Sequence, residues 1–166
     1  MEIVLSHVGS RWEIKSLFYV ILHSGIKIVK NSPLHILLMD DEAMLLDLLP
    51  MMLEPHQTTI CRSLREACQT IEGKLTIDHN AQPDQRDSEI DVMLCDLMMP
   101  QGGGLDLYEW LLEHYPEYAK KMIFVTGGVG QELAQRVQDT NQPVLHKPFS
   151  IAELHTAIDD FLSQND

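Results

Sequence analysis

From Leu34 onward the chain alternates short runs of Ile, Leu and Val with segments whose apolar residues recur every three or four positions. The runs cover residues 34–39, 58–61, 91–95, 122–125 and 144–146, each too short for a helix. Near-continuous apolar strands separated by amphipathic helices are the pattern of βα units around a parallel sheet with both faces covered. An α/β fold with five strands and four or five helices is therefore expected.

Helix boundaries are marked locally. Ser63 with Glu66, and Ser150 with Glu153, have capping-box spacing, in which the Ser oxygen accepts an orphan N–H and the Glu reaches back. Gly73 is placed to end the first of these helices in a left-handed turn. The helix after Asp41 has Leu45, Leu46, Leu49, Met52 and Leu53 on an apolar face, with Pro50 in its interior. An interior proline costs about 3 kcal/mol, so a kink or early end is expected. A further helix over 105–115 packs through Leu107, Trp110 and Leu111 and stops before Pro116.

At 166 residues, 45% of them apolar, one domain with an extension is expected. The domain spans 33–166, preceded by a segment over 1–32 whose apolar patches at 3–5 and 17–22 suit an extra strand and helix, a docking arm or a non-native start. Residues 74–88, KLTIDHNAQPDQRDS, are polar and aperiodic and read as an inserted loop. No internal repeat is evident.

With 12 Lys and Arg against 25 Asp and Glu, the net charge of −13 speaks against a nucleic-acid partner, whose phosphates need clustered cations. Cys61, Cys68 and Cys95 have neither the even count of a disulfide framework nor zinc-ligand spacing, which fits a reducing cytoplasm. The apolar run over 17–22 is far short of a membrane span, and His23 follows it rather than a cleavage site. No membrane partner is expected.

The stretch FVTGGVGQELA, 124–134, joins a strand to a helix through glycines and raises the question of a nucleotide. The dinucleotide fingerprint needs a glycine where Leu133 stands, and a P-loop needs Gly-Lys-Ser/Thr. Neither motif is met.

Parallel sheets bind ligands beyond the carboxyl ends of their strands. There the first strand ends in Asp40, Asp41 and Glu42, the third in Asp96, the fourth in Thr126 and the fifth in Lys147. Each has a plain structural explanation: the first three cap a helix and suit its dipole, Asp96 opens a turn, Thr126 ends a strand and Lys147 is a solvated charge. Together, crowded carboxylates either bind a hard divalent cation or have raised pKa values. Mg²⁺ is the natural ligand, and a carboxylate beside it can accept a phosphoryl group whose oxygens the lysine and hydroxyl bind.

The segments LLMDDE (37–42), VMLCDLMMPQGGGLDL (92–107), IFVTGG (123–128) and VLHKPFS (144–150) resemble the signature segments of response regulator receiver domains, in the family's order. The resemblance covers about 34–162. It implies a doubly wound, flavodoxin-like sheet of order 2-1-3-4-5. It further implies that Asp96 accepts phosphate from a histidine kinase or histidine phosphotransfer protein. Asp41, Asp96 and the Met98 main-chain carbonyl would bind Mg²⁺ directly, and Asp40 largely through water. Lys147, followed by a cis bond to Pro148, would pair with the phosphoryl oxygens, and Thr126 would move to hydrogen-bond them. Gly127 would keep the site open and Gly128 would give the loop freedom. The family's switch aromatic three positions before the lysine is here Val144.

The resemblance extends to receivers working with hybrid kinases. The expected protein is a phosphorelay receiver, monomer or weak homodimer, with no DNA-binding output module. It is not an enzyme beyond self-phosphotransfer and autodephosphorylation. It would signal to a downstream protein through the last strand and its flanking helices. The alternative is a receiver-like scaffold that is not phosphorylated. An aspartyl phosphatase would instead carry Asp-x-Asp where this chain has Asp-Asp-Glu.

Overall fold

The computed structural model describes residues 33–78 and 89–165. The chain divides into Met1–Pro33 and Leu34–Asp166, and every element below belongs to the second unit. The expectations for 1–32, and for residues 79–88 of the inserted loop, lie outside the described residues.

Five parallel strands, β1 (His35–Met39), β2 (Gln57–Cys61), β3 (Val92–Asp96), β4 (Met122–Thr126) and β5 (Val144–His146), form one sheet in the order β2-β1-β3-β4-β5. Alternate side chains of a strand point to opposite faces, and here both faces are buried. Ile36, Leu38, Val92, Leu94, Ile123 and Val125 face one side. There they meet Leu46, Leu49 and Leu53 at α1 (Ala43–Met52) and Leu154, Ile158 and Phe161 of α6 (Ile151–Asn165). Leu37, Met39, Met93, Cys95 and Phe124 face the other side. That layer holds α2 (Leu64–Asp78), α3 (Gly104–His114), α4 (Pro116–Ala119) and α5 (Gln131–Asp139). The result is a doubly wound α/β sheet, as the βα alternation requires.

Three local details differ from, or refine, what the sequence predicts. Gly73 does not end its helix: α2 runs through it to Asp78, so the loop expected from residue 74 begins later. One glycine in a helix costs only about 1 kcal/mol. Contacts on either side offset that, with Ile71 fully buried and the Lys74 ammonium 3.3 Å from His35 Nδ1. Pro116 starts a one-turn helix, α4, at whose first position its missing N–H is no loss. Pro50 lies inside α1, which ends two residues later with the Leu53 N–H donating to the Leu49 carbonyl.

One capping box closes fully and the other by half. At α6 the exchange is reciprocal, Glu153 N–H to Ser150 Oγ at 3.2 Å and Ser150 N–H to Glu153 Oε2 at 2.7 Å. At α2 the Glu66 N–H donates to Ser63 Oγ, but the Glu66 carboxylate takes the N–H of Arg62, one residue earlier than the motif predicts.

Candidate functional site

Strand register brings the polar residues together. Met39 lies opposite Cys95, so Asp40 and Asp96 leave adjacent strands side by side. Asp96 lies opposite Val125, and Thr126 opposite His146, which places Thr126 and Lys147 at the same edge. Such a register is set by burying apolar side chains on both faces, since a slip by one residue would exchange the faces.

Carboxylate oxygens of Asp40, Asp41 and Asp96 lie within 4.8 Å of one another. Asp40 and Asp96 are only 3% and 6% exposed, and Asp41 stands at the open rim. Lys147 Nζ bridges the buried pair, 2.6 Å from Asp40 Oδ2 and 2.5 Å from Asp96 Oδ2. The remaining oxygens take main-chain donors: Glu42 N–H to Asp40 Oδ1 and Met98 N–H to Asp96 Oδ1, both at 2.8 Å. Thr126 is buried, its Oγ1 accepting the Gly128 N–H at 3.0 Å, which leaves its own O–H to donate.

One ammonium facing two buried carboxylates sets the electrostatics. Burial pushes the Asp40 carboxyl above its ordinary range, with the Lys147 and Glu42 hydrogen bonds opposing. For Lys147, burial favours the neutral amine, but the hydrogen bonds and charges of Asp40 and Asp96 outweigh it and raise its pKa. With all groups ionised, three carboxylates against one ammonium leave two uncompensated negative charges. Clustered hard oxygen donors with excess negative charge suit a divalent cation such as Mg²⁺.

Asp40, Asp41, Asp96, Thr126 and Lys147 lie together at this edge, with Glu42 and Met98 tied in through their N–H groups. The Lys147–Pro148 bond is cis. A Cβ at Gly127 would meet nothing within 4 Å, so this glycine leaves space beside Thr126, and Gly128 adopts φ +130°, a conformation that favours glycine. Two features were not read from the sequence. One is the Lys147–Asp40 bridge, across 107 residues. The other is the closeness of α3 to the pocket loop, where a Cβ on Gly103 would lie 2.1 Å from the Leu97 carbonyl oxygen. The run of three glycines at 102–104 was the available signal.

The family model of the response regulator receiver domain matches residues 36–159. No curated protein matches the chain in sequence. Among solved structures, the chain is similar to a CheY-like response regulator receiver domain protein from Methanospirillum hungatei, at 22% identity and a TM-score of 0.64, covering 80% of this chain and 96% of that one. The signal receiver domain of an HD domain-containing protein from Pseudomonas fluorescens gives 22% identity and a TM-score of 0.62, covering 80% and 97%. A response regulator receiver domain protein from Clostridium thermocellum gives 23% and 0.60, covering 80% and 96%. These likenesses speak to the fold. Among the described residues no helix is long and apolar enough to cross a membrane.

Proposed function

The chain belongs to the response regulator receiver domain family of two-component systems, and we propose that it takes a phosphoryl group from a phosphohistidine onto Asp96 and signals through protein contacts. The observation that carries this reading is the triad of converging Asp carboxylates with Lys147 bridging Asp40 and Asp96. A carboxylate oxygen of Asp96 forms the new O–P bond as the P–N bond to the donor breaks, and the imidazole leaves with the electron pair. The product is an acyl phosphate.

Asp41, Asp96 and the Met98 main-chain carbonyl would hold Mg²⁺, with Asp40 acting largely through water. The cation, when bound, neutralises the phosphoryl oxygens. Lys147 is placed to exchange its Asp96 contact for a phosphoryl oxygen. Thr126, whose hydroxyl proton is free to donate, would turn toward the same group and release the Gly128 N–H. Val144 has no ring to rotate, so the signal would pass through the loop from Gly127 to Gly130 into α5, where only Val137 is fully buried. A cytoplasmic setting is in keeping with the free thiols of Cys61, Cys68 and Cys95.

A donor protein must cover the rim of the pocket, where α1 begins. Met44, Leu48 and Met51 form an apolar stripe along α1, 71%, 47% and 71% exposed, beside Asp41, Glu42 and Asp47. Methionine adapts to varied partners, so a phosphohistidine helix with an apolar face and basic flanks fits this surface. Changing Leu48 to Lys is expected to leave labelling by acetyl phosphate unchanged. The same change should slow transfer at least about tenfold from any purified kinase of the same genome that labels the wild type, the scale of one buried apolar contact. Equal transfer to both proteins would remove the stripe from the docking surface.

The direct test is intact-mass analysis after incubation with Mg²⁺ and acetyl phosphate. One phosphoryl group should be gained, and chelator or Asp96→Ala should abolish the gain. A folded wild-type protein that gains none from acetyl phosphate or from any kinase of the same genome would instead be a scaffold.

A further inference from the structure

The pole of the sheet opposite the acidic pocket carries a second polar cluster, built on histidine. His56, in the turn before β2, accepts the Leu34 backbone N–H on Nδ1 at 3.2 Å. The Leu34 carbonyl in turn accepts the Gln57 N–H at 2.8 Å. Leu34, the residue ahead of β1, is thus held through both its N–H and its carbonyl by two consecutive residues. Close by, His155 of α6 donates Nε2–H to the Met52 carbonyl at the end of α1, at 2.9 Å.

The two histidines respond differently to a proton. The His155 contact uses an N–H present in both the neutral and the charged ring. His56 faces a donor, so its Nδ1 must be unprotonated and its neutral ring must carry the proton on Nε2. Protonating Nδ1 sets N–H against N–H and removes the bond. The charged groups facing His56 among the described residues are His155 and Asp159 on α6 and Asp91 at the head of β3. Burial first, and His155 second, hold the His56 imidazole below its ordinary value of 6.5, with the two aspartates opposing.

We propose that His56 is a proton-sensitive latch on the start of β1: neutral, it holds Leu34, and protonated, it lets go. The sign follows from linkage. The unfolded or opened state binds more protons than the closed one, so the latch is fully engaged above about pH 6.5 and weakens as pH falls below it. The opening is local to this pole and leaves the phosphoacceptor pocket in place.

The test is amide exchange and imidazole ¹⁵N NMR on the full chain at pH 7.5 and 5.0. The Leu34 protection factor should fall by about tenfold or more between these conditions, the scale expected when one proton binds the opened state in preference to the closed one. Protection of the Asp40 amide, which donates to the Cys61 carbonyl at the other pole, should hold. His56→Gln, whose side-chain oxygen can accept the same N–H without titrating, should abolish the pH response at Leu34. The proposal is overturned if Leu34 protection falls equally in that variant. Should the variant not fold, wild-type His56 titrating at or above 6.5 overturns it equally.

Discussion

Replacing Lys147 by Met is expected to slow labelling by acetyl phosphate about 100-fold or more, the usual loss when one preorganised group that neutralises a transferring phosphoryl is removed. It should also destabilise the fold by about 3 kcal/mol, because among the described residues the ammonium is the only cation shown to pair with Asp40 and Asp96, two carboxylates almost wholly withdrawn from water. The pH dependence distinguishes this cause from lost packing. Asp40 already has a raised pKa from burial, and loss of Lys147 removes the strongest opposing interaction. A carboxyl with a raised native pKa binds more protons folded than unfolded, so stability falls as pH rises through that value. The variant should therefore recover stability as pH is lowered toward the ordinary carboxylate range. Adding Asp40→Asn should restore stability at pH 7 without restoring labelling. Denaturant unfolding with intact-mass kinetics reads both quantities. Labelling within threefold of wild type would remove Lys147 from the transfer step.

The same Gly-to-Ala change is expected to have opposite effects at two positions. At Gly103 the new Cβ would lie 2.1 Å from the Leu97 carbonyl oxygen and 2.7 Å from its carbon, both main-chain atoms that cannot rotate away. The backbone must move, at a cost of about 3 kcal/mol, the scale of overpacking a filled site. For a domain of this size that lowers the melting temperature by roughly 10 °C. The shifted segment, Asp96 to Met98, holds the proposed phosphoacceptor and the N–H that binds its Oδ1, so labelling should slow as well. At Gly73, exposed inside α2, the Cβ meets nothing within 4 Å, and alanine should gain about 1 kcal/mol of stability. Loss of stability at Gly73 would mean that the helix ends there, as the sequence alone suggests.

The Gly73 contrast shows where sequence reading meets its limit. Glycine after a helical run is a good stop signal because it reaches left-handed conformations without strain. That preference amounts to about 1 kcal/mol, and tertiary contacts outweigh it. Pro116 ends α3 as the sequence predicts, and it also opens α4, a turn that the sequence pattern does not show. The capping boxes were legible, being exchanges between residues three apart, and only the choice of Arg62 over Ser63 as donor to Glu66 escaped the motif. Nothing near His56 in the chain points to Leu34, from which it is separated by 22 residues.

The sequence by itself determined the class of fold, the five strands to within about a residue, and which of the described polar residues follow them at the carboxyl edge. Runs of Ile, Leu and Val separated by helical periods leave few alternatives to a covered parallel sheet, and the residue following each run stands by necessity at its carboxyl edge. Tertiary structure alone decided which of those groups touch. That Lys147 bridges Asp40 as well as Asp96, that Gly103 lies against Leu97, and that Leu34 hangs on an imidazole depend on register and layer spacing. Both are set by the summed burial of side chains far apart in the chain, a quantity that no short stretch of it contains.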